Sequence, residues 1–210
     1  MTLQKADGPD DKRRKTGKAG FGAERGRVVL VTGGCRSGKS EFAETLLSKA
    51  AMPLFYIATA RVFDSGMARR VEAHQKRRGR EWTTLEEPEE PYRTLRELAA
   101  SETEVGGVLL DCVTLWLGDC MSRELPDAEI LRRAGLIGES ARALSAAKKS
   151  PVVIVTNEVG SGVSPATELG NRFRDLAGLI NRDLARRADD VVLVACGLPL
   201  SLKGNCLSLL

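Results

Sequence analysis

Short, almost continuously apolar runs alternate along the chain with segments whose apolar residues recur every three or four positions. Runs of the first kind are typical of strands that are buried on both faces of a sheet. Five runs fit this description, at residues 27–32, 54–58, 107–111, 151–156 and 190–195. We therefore predict five core strands.

Two helices are predicted between these strands. Apolar residues with helical spacing lie within 39–50, between the first two strands, and a second series ends shortly before the last strand. That second series is Leu169, Phe173, Leu176, Ile180 and Leu184. Ser164 is its expected N-cap, with Pro165 at the first helical position. Strands that alternate with helices predict an α/β fold with a mostly parallel central sheet, helices on both faces and an active site at the carboxyl ends of the strands.

The chain length of 210 residues is that of one domain with appendages. We predict a domain over 27–203, a disordered basic tail at 1–26 and an extension at 204–210. Residues 1–27 contain eight Lys and Arg against four Asp and Glu, whereas the rest of the chain has 24 of each sign. The net charge of +4 therefore lies in the tail, and the neutral remainder predicts no nucleic-acid partner.

Apolar content and cysteine spacing narrow the class of protein further. No apolar run approaches the ~20 residues of a membrane span, and the first 20 residues have no signal-peptide core. The five cysteines show no CxxC spacing and the chain has one histidine, which argues against a zinc site or a disulfide framework. We expect a cytoplasmic protein with reduced thiols.

The most informative local motif follows the first predicted strand. Residues 33–40 read GGCRSGKS and match G-x-x-x-x-G-K-[ST] at every fixed position, between a strand and a helix. In such a loop, backbone N–H groups and the helix N-terminus bind phosphates. Lys39 would reach the β- and γ-phosphates, and Ser40 would hold Mg²⁺. Asp111 ends a core strand, where it is either a second metal anchor or a simple strand terminator.

The only histidine, His74, lies in a basic segment. On a helix, Met67, Val71 and His74 would share one face with Arg78. Nearby cations would keep the imidazole neutral, because positive charge opposes its protonation. A neutral imidazole is a nucleophile that can attack an α-phosphorus. From local chemistry alone, a structural histidine on a solvated basic helix remains the default interpretation.

Several sequence blocks extend this pattern over 27–203. They are TGGCRSGKS (32–40), YIATA (56–60), M-x-x-R-V-x-x-H (67–74), WTTLEEP (82–88), LLDCVTLWL (109–117), TNEVGSGVSP (156–165), FRDLAGLIN (173–181) and VVLVACGLPLSLK (191–203). Together they resemble the bifunctional adenosylcobinamide kinase / adenosylcobinamide-phosphate guanylyltransferase family of cobalamin biosynthesis. Many nucleotide-binding proteins share the phosphate loop, whereas TNEVGSG followed by F-R-D-x-x-G-x-x-N is far more specific.

The resemblance implies a RecA-like P-loop NTPase fold and two activities. One activity phosphorylates adenosylcobinamide on its aminopropanol hydroxyl with ATP or GTP. The other transfers GMP from GTP to that phosphate through a guanylylated histidine, which corresponds to His74, and yields adenosylcobinamide-GDP and pyrophosphate. The resemblance also implies a homotrimer, with Lys39 and His74 as the catalytic residues and Mg²⁺ at Ser40 and Asp111.

The nucleotide contacts implied by the resemblance fall in several segments of the chain. They are Gly33, Gly34, Cys35, Arg36, Ser37, Gly38, Lys39, Ser40, Ala58, Thr59, Ala60, Gln75, Lys76, Arg77, Arg78, Glu86 and Asp111. Glu86 is either an acceptor for guanine N–H groups or a surface acid. The sequence departs from the family at Gly66, where an acidic residue is common, at Cys35, where alanine is usual, and near Asp119, where asparagine is often found.

Other polar residues and two other functions stay open on the sequence. Asn157 and Glu158 would orient substrate or metal-bound water, or only shape the turns around Gly160 and Gly162. Arg174 and Asp175 would pair on their helix. The alternative functions are a P-loop small-molecule kinase without the transferase step, and a nucleotide-binding switch or assembly module.

Overall fold

The computed structural model describes residues 26–61 and 79–209, through which a seven-stranded sheet runs. Its strands are β1 (Val28–Thr32), β2 (Leu54–Ala58), β3 (Trp82–Glu86), β4 (Gly107–Asp111), β5 (Val152–Val155), β6 (Asp190–Ala195) and β7 (Leu198–Lys203). The strand order is β3-β2-β4-β5-β1-β6-β7. Every neighbouring pair is parallel except β6 and β7, which are antiparallel.

Helices cover both faces of the sheet, as predicted. They are α1 (Lys39–Leu47), α2 (Pro91–Ala100), α3 (Val113–Ser122), α4 (Asp127–Lys148), α5 (Glu168–Arg187) and a short 3₁₀ helix (Cys206–Leu209). α1 and the 3₁₀ helix pack on one face, and α2 to α5 pack on the other. None of the helices in the described ranges has the length and hydropathy needed to cross a bilayer.

Alternate residues of β1 show why the core strands are almost continuously apolar. Val28 and Leu30 are buried in the cluster beneath α2 to α5, whereas Val29 and Val31 are buried against α1. Each such side chain stabilises the fold by about 1.5–3 kcal/mol when it leaves water. Because β1, β5 and β4 are parallel neighbours, their carboxyl ends lie together at one end of the sheet.

The start of α5 differs from the prediction. Thr167, not Ser164, is the N-cap, and its hydroxyl accepts a hydrogen bond from the backbone N–H of Gly170 at 3.1 Å. The Ser164 hydroxyl instead accepts a hydrogen bond from Arg174 at 2.7 Å. The serine therefore ties the preceding loop to the side of the helix rather than capping its end.

Two strands were not predicted, and the predicted extension at 204–210 contains the 3₁₀ helix. β3 is a half-exposed edge strand with two threonines, and β7 exposes Leu198, Leu200 and Leu202. Beyond β7, Cys206 is fully buried, and its backbone N–H donates to the Asp190 carboxylate at 2.9 Å. The chain after Lys203 thus packs against the sheet. The predicted tail lies outside the described residues except for Gly26.

Candidate nucleotide-binding site

The phosphate loop lies between β1 and α1, and its fixed glycines occupy backbone conformations that suit glycine alone. Gly33 has a φ of 154°, and a Cβ there would lie 2.3 Å from the carbonyl oxygen of Val194. Gly38, the N-cap of α1, has a φ of 92°. Residues with a side chain rarely adopt such positive φ angles. These two positions therefore explain the spacing of the motif.

Neighbouring loops hold the phosphate loop in place. The carbonyl oxygen of Gly33 accepts a hydrogen bond from the backbone N–H of Glu158 at 3.0 Å, and that of Ser37 accepts one from Gly197 at 2.9 Å. The Lys39 side chain is buried, and its Nζ donates to the carbonyl oxygen of Gly34 at 3.1 Å. The ammonium thus lies against the loop at the N-terminus of α1, where positive helix-dipole charge also attracts anions.

Asp111 lies on the α1 side of the sheet. Leu109 is buried in the cluster beneath α1, and side chains two positions apart in a strand share a face. The Tyr56 hydroxyl donates to the Asp111 carboxylate at 3.2 Å. Ser40, in the first turn of α1, is therefore on the same face and edge as Asp111.

These oxygen donors fit the magnesium prediction. Mg²⁺ prefers one or two protein oxygens together with phosphates and water, and a serine hydroxyl with a carboxylate supplies them. The hydroxyls of Thr32 and Ser37 are also buried at the loop, and neither has a hydrogen-bond partner within the described part of the chain. The arrangement is one that bound phosphates and water would satisfy.

The segment after β2 has a defined structural role. The Thr59 hydroxyl is fully buried, donates to the carbonyl oxygen of Cys112 at 2.7 Å and accepts from its N–H at 2.8 Å. Thr59 therefore fixes the chain just after Asp111. The predicted nucleotide contacts at Ala58, Thr59 and Ala60 remain predictions.

Glu86 is the last residue of β3, exposed, and in register with Ala58. Four strand spacings separate β3 from β1, about 19 Å at ~4.8 Å each. A guanine contact at Glu86 would therefore require the nucleotide to extend along the sheet edge from β1 toward β3. This contact also remains a prediction.

A group of ion pairs holds the chain at Arg61. Its Nε lies 2.6 Å from the Asp119 carboxylate, and its guanidinium also pairs with Glu89. Arg123 contacts the Glu89 carboxylate at 2.8 Å. The hydrogen bond from Arg61 is the largest cause of the lowered pKa of Glu89. The departure from the family near Asp119 thus lies beside a buried carboxylate that Arg61 neutralises.

The structure leaves one predicted segment undescribed. Gly66, His74 and the predicted contacts at 75–78 lie outside the described residues. Arg61 is the last described residue before this segment, and Gly79 is the first after it.

Sequence reasoning missed a hydrogen-bond network at the end of β5. The Thr156 hydroxyl donates to the Asn181 side chain at 2.7 Å, and the Asn181 amide donates to the carbonyl oxygen of Asn157 at 3.0 Å. The N–H of Asn157 donates to the Thr114 hydroxyl at 2.7 Å. The asparagine that closes the FRDLAGLIN block was the only signal of this network. It joins β5, α3 and α5 at the edge that carries the phosphate loop.

The side chain of Glu158 favours the turn interpretation over direct substrate contact. It accepts hydrogen bonds from the N–H of Gly160 at 2.6 Å and from the hydroxyl of Ser161 at 3.3 Å. The Asn157 side-chain oxygen is buried and has no hydrogen-bond partner in the described ranges. The Glu158 side chain therefore stabilises its own loop. The Asn157 side-chain oxygen provides a hydrogen-bond acceptor at the edge of the site.

The parallel sheet and its phosphate loop define an α/β P-loop nucleotide-binding protein, with β5 between β1 and β4 as in RecA-like folds. The sequence places it more narrowly. The chain belongs to the cobinamide kinase / cobinamide phosphate guanyltransferase family, whose model matches residues 29–202.

Curated relatives are similar over most of the chain. The bifunctional adenosylcobalamin biosynthesis protein CobP of Pseudomonas aeruginosa is 40% identical over 179 residues, which cover 84% of this chain and 97% of the relative. Bifunctional adenosylcobalamin biosynthesis protein CobU of Escherichia coli is 37% identical, with coverages of 84% and 99%. The crystal structure of the RadB recombinase matches with a TM-score of 0.46 at 18% identity and covers 81% of this chain and 74% of that one.

Proposed function

We propose that the protein phosphorylates adenosylcobinamide with ATP or GTP and then transfers GMP from GTP to the new phosphate. The observation that carries this proposal is a phosphate loop, with Lys39 and Ser40 on the same face and edge as Asp111, in a chain that matches the family over 29–202. The products are adenosylcobinamide-GDP and pyrophosphate.

In the kinase step, the aminopropanol hydroxyl oxygen attacks the γ-phosphorus and loses its proton. The bond to the β,γ-bridging oxygen breaks, and a nucleoside diphosphate leaves. The loop N–H groups and Lys39 bind the phosphates, so the protein contributes mainly alignment and charge neutralisation. Ser40 and Asp111 would hold Mg²⁺, which supplies further neutralisation of phosphate charge when bound.

In the transferase step, an imidazole nitrogen of His74 attacks the α-phosphorus of GTP, and pyrophosphate leaves. A phosphate oxygen of the acceptor then attacks the same phosphorus and breaks the N–P bond. The resemblance at 67–74 supports this assignment. The residues that follow, Gln75 and Lys76–Arg78, are the proposed triphosphate contacts, and their positive charge would stabilise the leaving group.

We also propose that the protein is cytoplasmic, on the spacing of its cysteines, and that it is a homotrimer, on the family resemblance. The exposed leucines of β7 at 198, 200 and 202 provide apolar surface that a second copy would cover.

Turnover with defined corrinoids tests the proposal. Purified protein, Mg²⁺ and ATP should convert adenosylcobinamide to its phosphate, and added GTP should convert that product to adenosylcobinamide-GDP, as followed by mass spectrometry. Lys39→Ala should lower kinase turnover about 100-fold or more, because it removes an ammonium that stabilises transferred charge. Lys49→Ala is the matched control, since Lys49 is exposed beyond the far end of α1.

Each alternative function has a distinct outcome in the same assay. A phosphorylated corrinoid that never acquires GMP would contradict the transferase half and leave a small-molecule kinase. Nucleotide binding without any corrinoid product would contradict both halves and leave a nucleotide-binding switch.

A further inference from the structure

An open groove separates α5 from the loop that follows β5. Its walls are formed by Gly160, Arg174, Asp175, Gly178, Leu179 and Arg182, and its volume is about 400 Å³. On the helix, residues 174, 178 and 182 are spaced by four and therefore form one stripe. The hydrogen bond from Arg174 to Ser164, at 2.7 Å, holds the loop beside the helix.

The groove lies at the same sheet edge as the phosphate loop. Asn181 is hydrogen bonded to Thr156 and Asn157, so its turn of α5 stands level with the carboxyl end of β5. Arg182 follows directly. On the loop side, the N–H of Glu158 donates to Gly33 at 3.0 Å, two residues before Gly160. An acceptor in the groove would therefore be a neighbour of nucleotide in the phosphate loop.

The charged groups of the groove suit a phosphate. Arg182 is exposed, and no carboxylate in the described ranges pairs with it. Arg174 donates to Ser164, and its Nε lies 3.6 Å from the Asp175 carboxylate. A guanidinium has five N–H groups, which is more than these contacts use.

The spacing of the two arginines also suits one anion. Their Cα atoms are eight residues apart on α5, about 12 Å along the helix axis. Gly178 lies midway, and a Cβ there would meet no atom within 4 Å. Two long arginine side chains can therefore reach a single phosphate above the glycine. Arginine binds phosphate in a bidentate manner.

We infer that this groove binds the acceptor of the transferase step, a phosphate monoester on an amide-bearing aliphatic arm. Arg174 and Arg182 bind the phosphate, Asp175 accepts a hydrogen bond from a carboxamide N–H, and the half-exposed Leu179 contacts the aliphatic part. This inference rests on the proposed function and assigns the acceptor site of that same reaction.

Three assays on Arg182→Gln separate acceptor binding from the other steps. Loading of GMP onto the protein from GTP needs no acceptor and should stay within about twofold of wild type. The KM for adenosylcobinamide-phosphate should rise about tenfold or more, because a charge-assisted contact is lost. The KM for unphosphorylated adenosylcobinamide in the kinase step should change far less, since that substrate has no phosphate.

Matched variants exclude general effects of charge and folding. Arg186→Gln removes an exposed arginine one helical turn further along α5, outside the groove, and should leave both KM values unchanged. Arg182→Lys should restore part of the acceptor affinity, and Arg174→Gln should reproduce the KM rise independently. Thermal unfolding of each variant reports whether the fold is intact.

The outcomes distinguish this inference from the proposed function. An unchanged KM for adenosylcobinamide-phosphate in both Arg182→Gln and Arg174→Gln would overturn the inference and leave the transferase activity standing. Equal rises for the phosphorylated and unphosphorylated corrinoids would overturn the assignment of these arginines to the phosphate. A wild-type protein that makes no GMP-bearing product would instead contradict the proposed function.

Discussion

The cysteine side chains occupy two different environments. Burial raises the pKa of Cys112 to about 12 and the pKa values of Cys120 and Cys206 to about 11. Two cysteines are exposed. Cys35 lies within the phosphate loop, and Cys196 precedes Gly197, whose N–H donates a hydrogen bond to that loop. Only a thiolate is a good nucleophile, so reactivity should follow this division.

We predict that a maleimide at pH 7.5 modifies Cys35 and Cys196 in the folded protein and spares the three buried cysteines. Bound nucleotide should slow modification of Cys35. Modification of Cys35 should also lower enzymatic activity, and Cys35→Ala should abolish the part of this activity loss that nucleotide prevents. Peptide mass spectrometry measures each site. Rapid labelling of Cys112 in the folded protein would contradict the burial described here.

The elements around the site depend on a few polar contacts rather than on apolar packing alone. The Asp119 side chain is only 4% exposed and lies 2.6 Å from the Nε of Arg61. This contact connects α3 to the chain that leaves β2 toward His74. We therefore expect loss of this carboxylate to affect both stability and the segment proposed for GMP transfer.

Asp119→Asn should destabilise the fold by about 2 kcal/mol, because it removes the negative charge from a mostly buried ion pair with Arg61. For a domain of this size that corresponds to a fall of about 4–8 °C in the unfolding midpoint. GMP loading should slow more than the kinase step. Calorimetry and the two partial reactions measure these effects.

The control for this variant is the same change in an exposed ion pair. Asp127 contacts Arg172 at 2.6 Å with a half-exposed side chain, so Asp127→Asn should cost less than about 1 kcal/mol. Equal destabilisation by the two substitutions would show that the Asp119 ion pair contributes no more to the free energy of unfolding than an exposed ion pair.

The elements also show where sequence reasoning succeeded and where it could not. The five core strands were predictable because each is buried on two faces and reads as a continuous apolar run. β3 and β7 lie at the sheet edges and have mostly exposed side chains, so their sequences have no such pattern. The phosphate loop was evident from its motif.

Contacts between distant residues were beyond the sequence patterns. Neither the pairing of Arg61 with Asp119 nor the link from Thr156 to Asn181 has a sequence signature that identifies both partners, because the partners are distant in sequence. The Ser164 N-cap was wrong for a related reason, since its hydroxyl is used by Arg174.

At the scale of the whole molecule, the net positive charge lies in the sequence before the first strand. The excess of positive charge lies in residues 1–27, and the sheet begins at Val28. Gly26 already packs closely, since a Cβ there would lie 1.9 Å from the carbonyl oxygen of Ser145. The domain proposed for both reactions thus begins where the charge excess ends.

A variant that lacks residues 1–25 should keep both activities, with kcat and KM within about twofold, because every proposed site residue is retained. Its unfolding midpoint should match that of the full chain. Light scattering should give a trimer mass for both proteins. A higher KM for the corrinoid, or a smaller assembly, would assign the tail a role that its composition does not predict.

The central claim is tested most directly by GTP labelled at the α- or the γ-phosphate. Protein incubated with Mg²⁺ and each label, then denatured, should retain the α-label and not the γ-label. The bound label should be lost in acid, be stable in base and be absent from His74→Ala, which removes the only histidine. No α-label on protein shown to bind GTP would contradict the guanylyl-histidine route and the transferase assignment.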